Sequence, residues 1–219
     1  MSSCSIGGVI EAKGRPIEAE RARWIPRLGG VEGNARLTGT TAVLLLVLLA
    51  IEGVTILFIR PLISVHVFVG LMLVPPVALK LASAGWRFAA YYLGSRSYVL
   101  KGPPHLVMRV LVAPAVVLST LVLFGTGVAM LIVKPRAGTL VGLHKTSFIV
   151  WGVVTGVHVL AYAVRLPRLA GADWKRATRL PSARGRLALV AGSLGLGALF
   201  AAASFHLATP WLDWMRLRH

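Results

Sequence analysis

The sequence predicts an all-α integral membrane bundle of about five transmembrane helices, arranged as a four-helix core plus one. Three observations carry that prediction. Hydrophobic residues make up 56% of the chain against 14% charged, with a mean hydropathy of +0.76, too apolar for a water-soluble domain of 219 residues. Several apolar runs reach the roughly 20 residues that a helix needs to cross the hydrocarbon layer. The basic residues flank those runs instead of forming one groove-sized patch, so the net charge of +17 speaks for membrane topology and against a nucleic-acid partner.

Residues 1–36 are polar and charged, with no apolar stretch of signal-peptide type, and read as a flexible cytoplasmic tail. The membrane domain then occupies 37–207, in contact with lipid, and 208–219 form a short extracytoplasmic tail. The first span, 37–59, carries Glu52 as its one charge and ends at Arg60-Pro61, because proline opens a helix but cannot continue one. The second, 62–83, runs on into an amphipathic extension from Trp86 to Tyr92 whose aromatics suit the headgroup zone. Lys101-Gly102-Pro103-Pro104-His105 makes a stiff turn before the third span, 106–133. The fourth span covers 140–164, and a basic loop leads to the glycine- and alanine-rich fifth, 186–207. Gly125, Gly127, Gly152, Gly156, Gly192, Gly195 and Gly197 would let helices, or a flat macrocycle, come close to the backbone.

Lysine and arginine set the orientation. The N-terminal tail holds six, the region after span two four and the loop after span four seven, against six at the opposite ends of the spans. Cytoplasmic loops carry the excess of positive charge, which puts the N-terminus inside and the C-terminus outside the cell membrane. Cys4, the single cysteine, excludes internal disulfides and cysteine-held zinc or iron–sulfur centres.

The chemistry lies in spans two and four. His144 and His158 are fourteen positions apart, and the same interval separates His66 from Lys80. On a helix that interval is roughly 21 Å and nearly a whole number of turns, so each pair shares a face at two depths. Both spans run from outside to inside. His66 and His144 are therefore level in the outer half, and Lys80 and His158 in the inner half. Two imidazoles at one height on neighbouring helices are what a low-spin haem iron needs as axial ligands. Arg60, Arg136 and Lys145 lie at the outer surface, where they could pair with propionates. The metal-ligand candidates are His66, His144 and, for a second, inner haem, His158. Lys80 could ligate, meet an inner propionate or snorkel to the headgroups. His105 is a candidate partner for His158 or part of a structural turn. His206 reads as interfacial, with replacement of either outer histidine as its other role. Glu52 could take a proton during quinol oxidation or bond a neighbouring helix.

His66-Val67-Phe68-Val69-Gly70, Pro75 and Lys80-Leu81, with His144, His158 and Arg165-Leu166-Pro167, resemble the membrane b-type cytochromes of the bacterial cytochrome b561-type and ferric reductase-like classes. The likeness is greater to the membrane cytochrome module associated with sulfite-oxidase-like molybdopterin oxidoreductases of actinobacteria, and it covers roughly 37–167. The resemblance implies haem b, a four-helix haem core, electron transfer, and a redox partner on the outer face. Lys80 departs from a full set of four histidines, which bears on the second haem. Any molybdopterin subunit is expected as a separate chain.

The expected function is that of an electron-carrier subunit between a quinone pool, or another membrane donor, and an extracytoplasmic oxidoreductase, catalysing no bond-making on its own. Two other readings stand beside it. One is a small transporter or assembly protein using Glu52, Lys80 and His158 without haem. The other is a plain membrane anchor.

Overall fold

The computed structural model describes residues 29–102, 106–133, 138–164, 173 and 180–216, with Arg216 described by its backbone alone. His105, Arg136 and the first 28 residues of the expected tail lie outside the described residues. Among the described residues there is no strand, and five helices are long and apolar enough to cross a membrane. The chain is an all-α bundle of multi-pass membrane type.

Helix α1 covers Gly30–Leu57, so residues 30–36, expected in the tail, are helical. Their polar side chains can be buried because they find partners. Asn34 Nδ2 donates to Ser83 O at 3.0 Å, and Arg36 Nη1 donates to Asp173 Oδ1 at 3.1 Å.

The second span is two helices, α2 (Ile59–Met72) and α3 (Val74–Tyr92), joined at Leu73. Pro75 and Pro76 withhold the N–H groups that would bond the carbonyls of Leu71 and Met72. The headgroup-zone extension to Tyr92 is continuous with α3. A short helix, α4 (Arg96–Leu100), follows. The third span enters through a π-helical turn, Met108–Val112, and continues as α5, Ala113–Ile132. Pro114, which cannot donate to the carbonyl four residues back, accounts for a departure from α geometry there.

Span four is α6, Gly138–Tyr162, and span five is α7, Ala183–Ser204. A 3₁₀ turn, Phe205–Ala208, then leads to α8, Thr209–Arg216, so most of the expected C-terminal tail is also helix. Trp211 Nε1 fastens α8 to the end of α5 by donating to Met130 O at 2.5 Å and Val133 O at 3.2 Å.

Helix α1 packs against α2 and α3, and α7 closes on all three. Leu45 and Leu48 of α1 meet Val69 of α2 and Leu73 in the apolar centre of this three-span group. Helices α5 and α6 form a second hairpin that packs chiefly on itself. Phe124 of α5 reaches the apolar centre of the first group. The buried residues of α5 and α6 are Thr120, Thr126 and Ser147, all hydroxyl-bearing, while Leu121, Ile149 and Leu160 are exposed. An apolar exterior around a more polar interior suits a solvent of lipid chains.

Of the seven glycines expected to admit close approach, two do so. Gly127 lies under the His144 ring, and Gly197 faces the Met72 carbonyl that Pro76 leaves without its helical donor. A Cβ on Gly197 would overlap that carbonyl. Gly197→Ala is therefore expected to force α7 away from α2, with a loss of about 1–3 kcal/mol as in other overpacked interiors. Thermal unfolding in detergent checks this, and an unchanged midpoint would mean that the contact yields freely.

At the end of the bundle where α1 and α7 begin, Asp173 sits between two arginines. Arg186 Nε donates to its Oδ2 and Arg186 Nη2 to its Oδ1, each at 2.6 Å, while Arg36 supplies the third bond. Asp173 and Arg186 are each 1% exposed, so water does not screen the cluster. Gly29, with φ +84°, passes within 2.9 Å of Arg186 Nη1 measured from where a Cβ would stand, leaving no room for a side chain. The basic loop before span five is thereby tied to the starts of spans one and five.

Candidate functional site

The two expected outer histidines are oriented in the same way by different helices. On α2, His66 Nδ1 lies 3.1 Å from Glu52 Oε1 and 3.1 Å from Thr55 Oγ1, both on α1. Glu52 and Thr55 are three positions apart and so share a face of α1. Thr55 Oγ1 also bonds the Glu52 carbonyl at 2.6 Å and Glu52 Oε2 at 3.2 Å, which braces the carboxylate. A Cβ on Gly70 would stand 3.3 Å from Glu52 Oε1, so the missing side chain on α2 makes space for the acid.

On α6, His144 Nδ1 lies 2.9 Å from Thr126 Oγ1 of α5. Thr126 in turn bonds the carbonyls of Val122 and Leu123, each at 2.9 Å. The ring of His144 rests on Gly127, where a Cβ would approach Cε1 to 3.4 Å. Each span-pair hairpin thus uses a threonine of its first span to hold the Nδ1 of a histidine on its second. The Leu123 backbone is a further hydrogen-bond partner of the His144 ring.

His66 and His144 also lie within electrostatic reach of one another, although their helices belong to the two separate packing groups. The tautomer with hydrogen on Nδ1 leaves the Nε2 lone pair free, and a fixed Nδ1 is the usual way to aim an imidazole at a metal. Among the described residues no three His, Cys, Asp or Glu side chains converge on one point. An iron held by a macrocycle needs only two protein ligands, so two imidazoles are a donor set of the right kind and number for such a group.

The inner pair is less regular. His158 and Lys80 are within electrostatic reach, as their levels predict. The Lys80 amine, however, donates to Thr38 O of α1 at 2.9 Å. Thr38 Oγ1 and Ser83 Oγ complete that junction at 3.0 Å. His158 Nδ1 is buried without a partner, as is Thr155 Oγ1 one turn earlier on the same helix. The Tyr162 ring lies 5.0 Å from the His158 ring. His158 therefore lacks the Nδ1 support that both outer histidines possess.

Arg60 and Lys145 are exposed in the N-terminal parts of α2 and α6, and neither forms an ion pair among the described residues. His206 is exposed in the 3₁₀ turn with Nδ1 against Ala203 O at 2.8 Å. The functional residues that sequence reasoning did not single out are Thr55 and Thr126. A hydroxyl within an apolar run is a common self-bonding feature of membrane helices, so neither stood out before its histidine was placed opposite.

No family model, curated protein or solved structure matches the chain. The fold defines a class, an all-α bundle with five helices of membrane-spanning character, and the site is described by its own geometry.

Proposed function

We propose that this protein is a membrane-bound b-type cytochrome that carries electrons between a quinone pool, or another membrane donor, and a separate oxidoreductase on the outer face. The observation that carries the reading is the matched pair His66 and His144, each with Nδ1 secured and the two within electrostatic reach although they stand on different helix groups. Haem b, when bound, supplies a one-electron iron couple. His66 and His144 would hold it from either side, while Arg60 and Lys145 offer cations at the outer surface for its propionates. Thr55, Thr126 and Glu52 keep the two rings turned inward. The sequence likeness to cytochromes that accompany molybdopterin oxidoreductases favours a partner of that type.

His158 is the residue on which a second, inner haem would depend. Its unsupported Nδ1, and the commitment of Lys80 to Thr38, favour a single outer haem. The transporter alternative needs Glu52, Lys80 and His158 to act along one path. Glu52 instead bonds across to His66, and Thr38, the partner of Lys80, is fourteen positions away on α1, roughly 21 Å along the helix.

The experiment is a reduced-minus-oxidised absorption spectrum, with a haem-to-protein ratio, on the purified protein expressed with ample haem. A ratio near one with b-type bands is expected, and a colourless protein sinks the reading in favour of the transporter. Orientation is tested separately through Cys4. Under the N-inside topology, a membrane-impermeant maleimide labels Cys4 in intact cells only after the membrane is permeabilised. Labelling without permeabilisation would reverse the topology.

A further inference from the structure

The two outer histidines are held alike in geometry but by different partners. His144 Nδ1 meets the neutral hydroxyl of Thr126 at 2.9 Å. His66 Nδ1 meets a hydroxyl and, at 3.1 Å, a carboxylate oxygen of Glu52. The glutamate is only 12% exposed at its side chain, and among the described residues no lysine or arginine pairs with it. An acidic side chain in the apolar part of a span is expensive and persists for a reason. Helix packing alone does not supply one, since Thr55 already bridges α1 to the imidazole and could do so without the acid. The bundle also makes room for this side chain by placing Gly70 opposite it.

A carboxylate that accepts the Nδ1 hydrogen of a metal-bound imidazole increases the electron donation of that ligand, favouring the more highly charged metal state. A hydroxyl acceptor does so less, because hydrogen bonds to a charged acceptor are roughly twice as strong. We infer that Glu52 is a positioning residue that makes His66 the stronger of two unequal axial ligands and lowers the reduction potential of the outer haem. The inference rests on the cytochrome reading and adds what that reading leaves open, the residue that sets the potential. His66 would hold the haem, and Glu52 would act through it. When bound, the haem would supply a one-electron couple, reduced by a donor and oxidised by an acceptor with no bond to protein formed or broken.

The test is a redox titration of the purified, haem-loaded full chain, as wild type, Glu52→Gln, Glu52→Asp and Thr126→Val. Glu52→Gln keeps the shape and an acceptor oxygen but removes the carboxylate. It is expected to raise the ratio of reduced to oxidised haem about tenfold at a fixed solution potential, equivalent to about 59 mV for a one-electron couple. Glu52→Asp, which draws the charge back, should fall between wild type and Glu52→Gln. Thr126→Val, which removes only a neutral bond to His144, should change the ratio less than Glu52→Gln does. A purely structural role for Glu52 would not produce this ordering.

If Glu52→Gln binds haem and titrates with wild type, the inference is overturned while the cytochrome reading stands. If Glu52→Gln loses haem, the decision passes to Glu52→Asp: a higher potential than wild type supports the inference, and an equal or lower one overturns it. A wild-type protein that binds no haem ends both.

Discussion

Conversion of either His66 or His144 to alanine is expected to reduce bound haem to less than about a tenth of the wild-type ratio, since a missing axial ligand leaves only one imidazole and the apolar walls to retain it. On the proposed reading each hairpin contributes one ligand, so loss is expected from both variants. His206, exposed in its 3₁₀ turn and bonded to Ala203 O, is not placed to substitute. The matching control is His158→Ala. With one outer haem it should leave the haem ratio unchanged, whereas a second haem would show as a halving. The same spectrum and pigment assay reads all three variants, and full haem in His66→Ala and His144→Ala together would discard the pairing.

Asp173→Asn carries the largest expected effect on stability. Removing one partner of a buried ionic cluster costs about 3–5 kcal/mol, because the remaining charges stay buried without compensation. Here Arg186, itself 1% exposed, would lose its two bonds to the carboxylate, while Arg36 keeps Glu32 at 3.5 Å. Unfolding in mild detergent followed by circular dichroism is the measurement, and a loss below about 1 kcal/mol would mean that water enters the cluster freely. The wild type should show a related dependence on acid. Burial pushes the Asp173 carboxyl up, but the bonds and charges of Arg186 and Arg36 outweigh it and hold the group below its ordinary value. A carboxyl with a lowered folded-state value contributes stability that is complete above its unfolded value, near pH 4, and is lost as pH falls through the folded one. The wild type should therefore lose this contribution only below about pH 4, and Asp173→Asn should lack that step.

The span count was legible because bilayer thickness imposes a length that composition alone reveals. Levels were legible too, since a regular helix turns the interval from His66 to Lys80, or from His144 to His158, into a depth. What could not be read was anything that depends on which side chain of one helix faces which of the next. Thr55 reaches His66 and Thr126 reaches His144 only once the two helices of each hairpin are packed in register. The helical state of residues 30–36 depended on Asp173, far away in sequence, neutralising Arg36. The break at Leu73 was visible as Pro75-Pro76, but its use, a freed carbonyl seated on Gly197, was not. The amphipathic α8 was short enough to pass for a tail until Trp211 found the end of α5.

The hairpin formed by α5 and α6 has a consequence for assembly. Because Thr126 and Gly127 come from the same hairpin as His144, that imidazole can be aimed before the hairpin meets the rest of the bundle. Glu52, Thr55 and Gly70 do the same for His66 within the first hairpin. The bundle is thus built from two prefabricated halves whose errors stay local. Changes at Thr126 and Thr55 should combine additively in their effects on folding, as sites with no shared partner do.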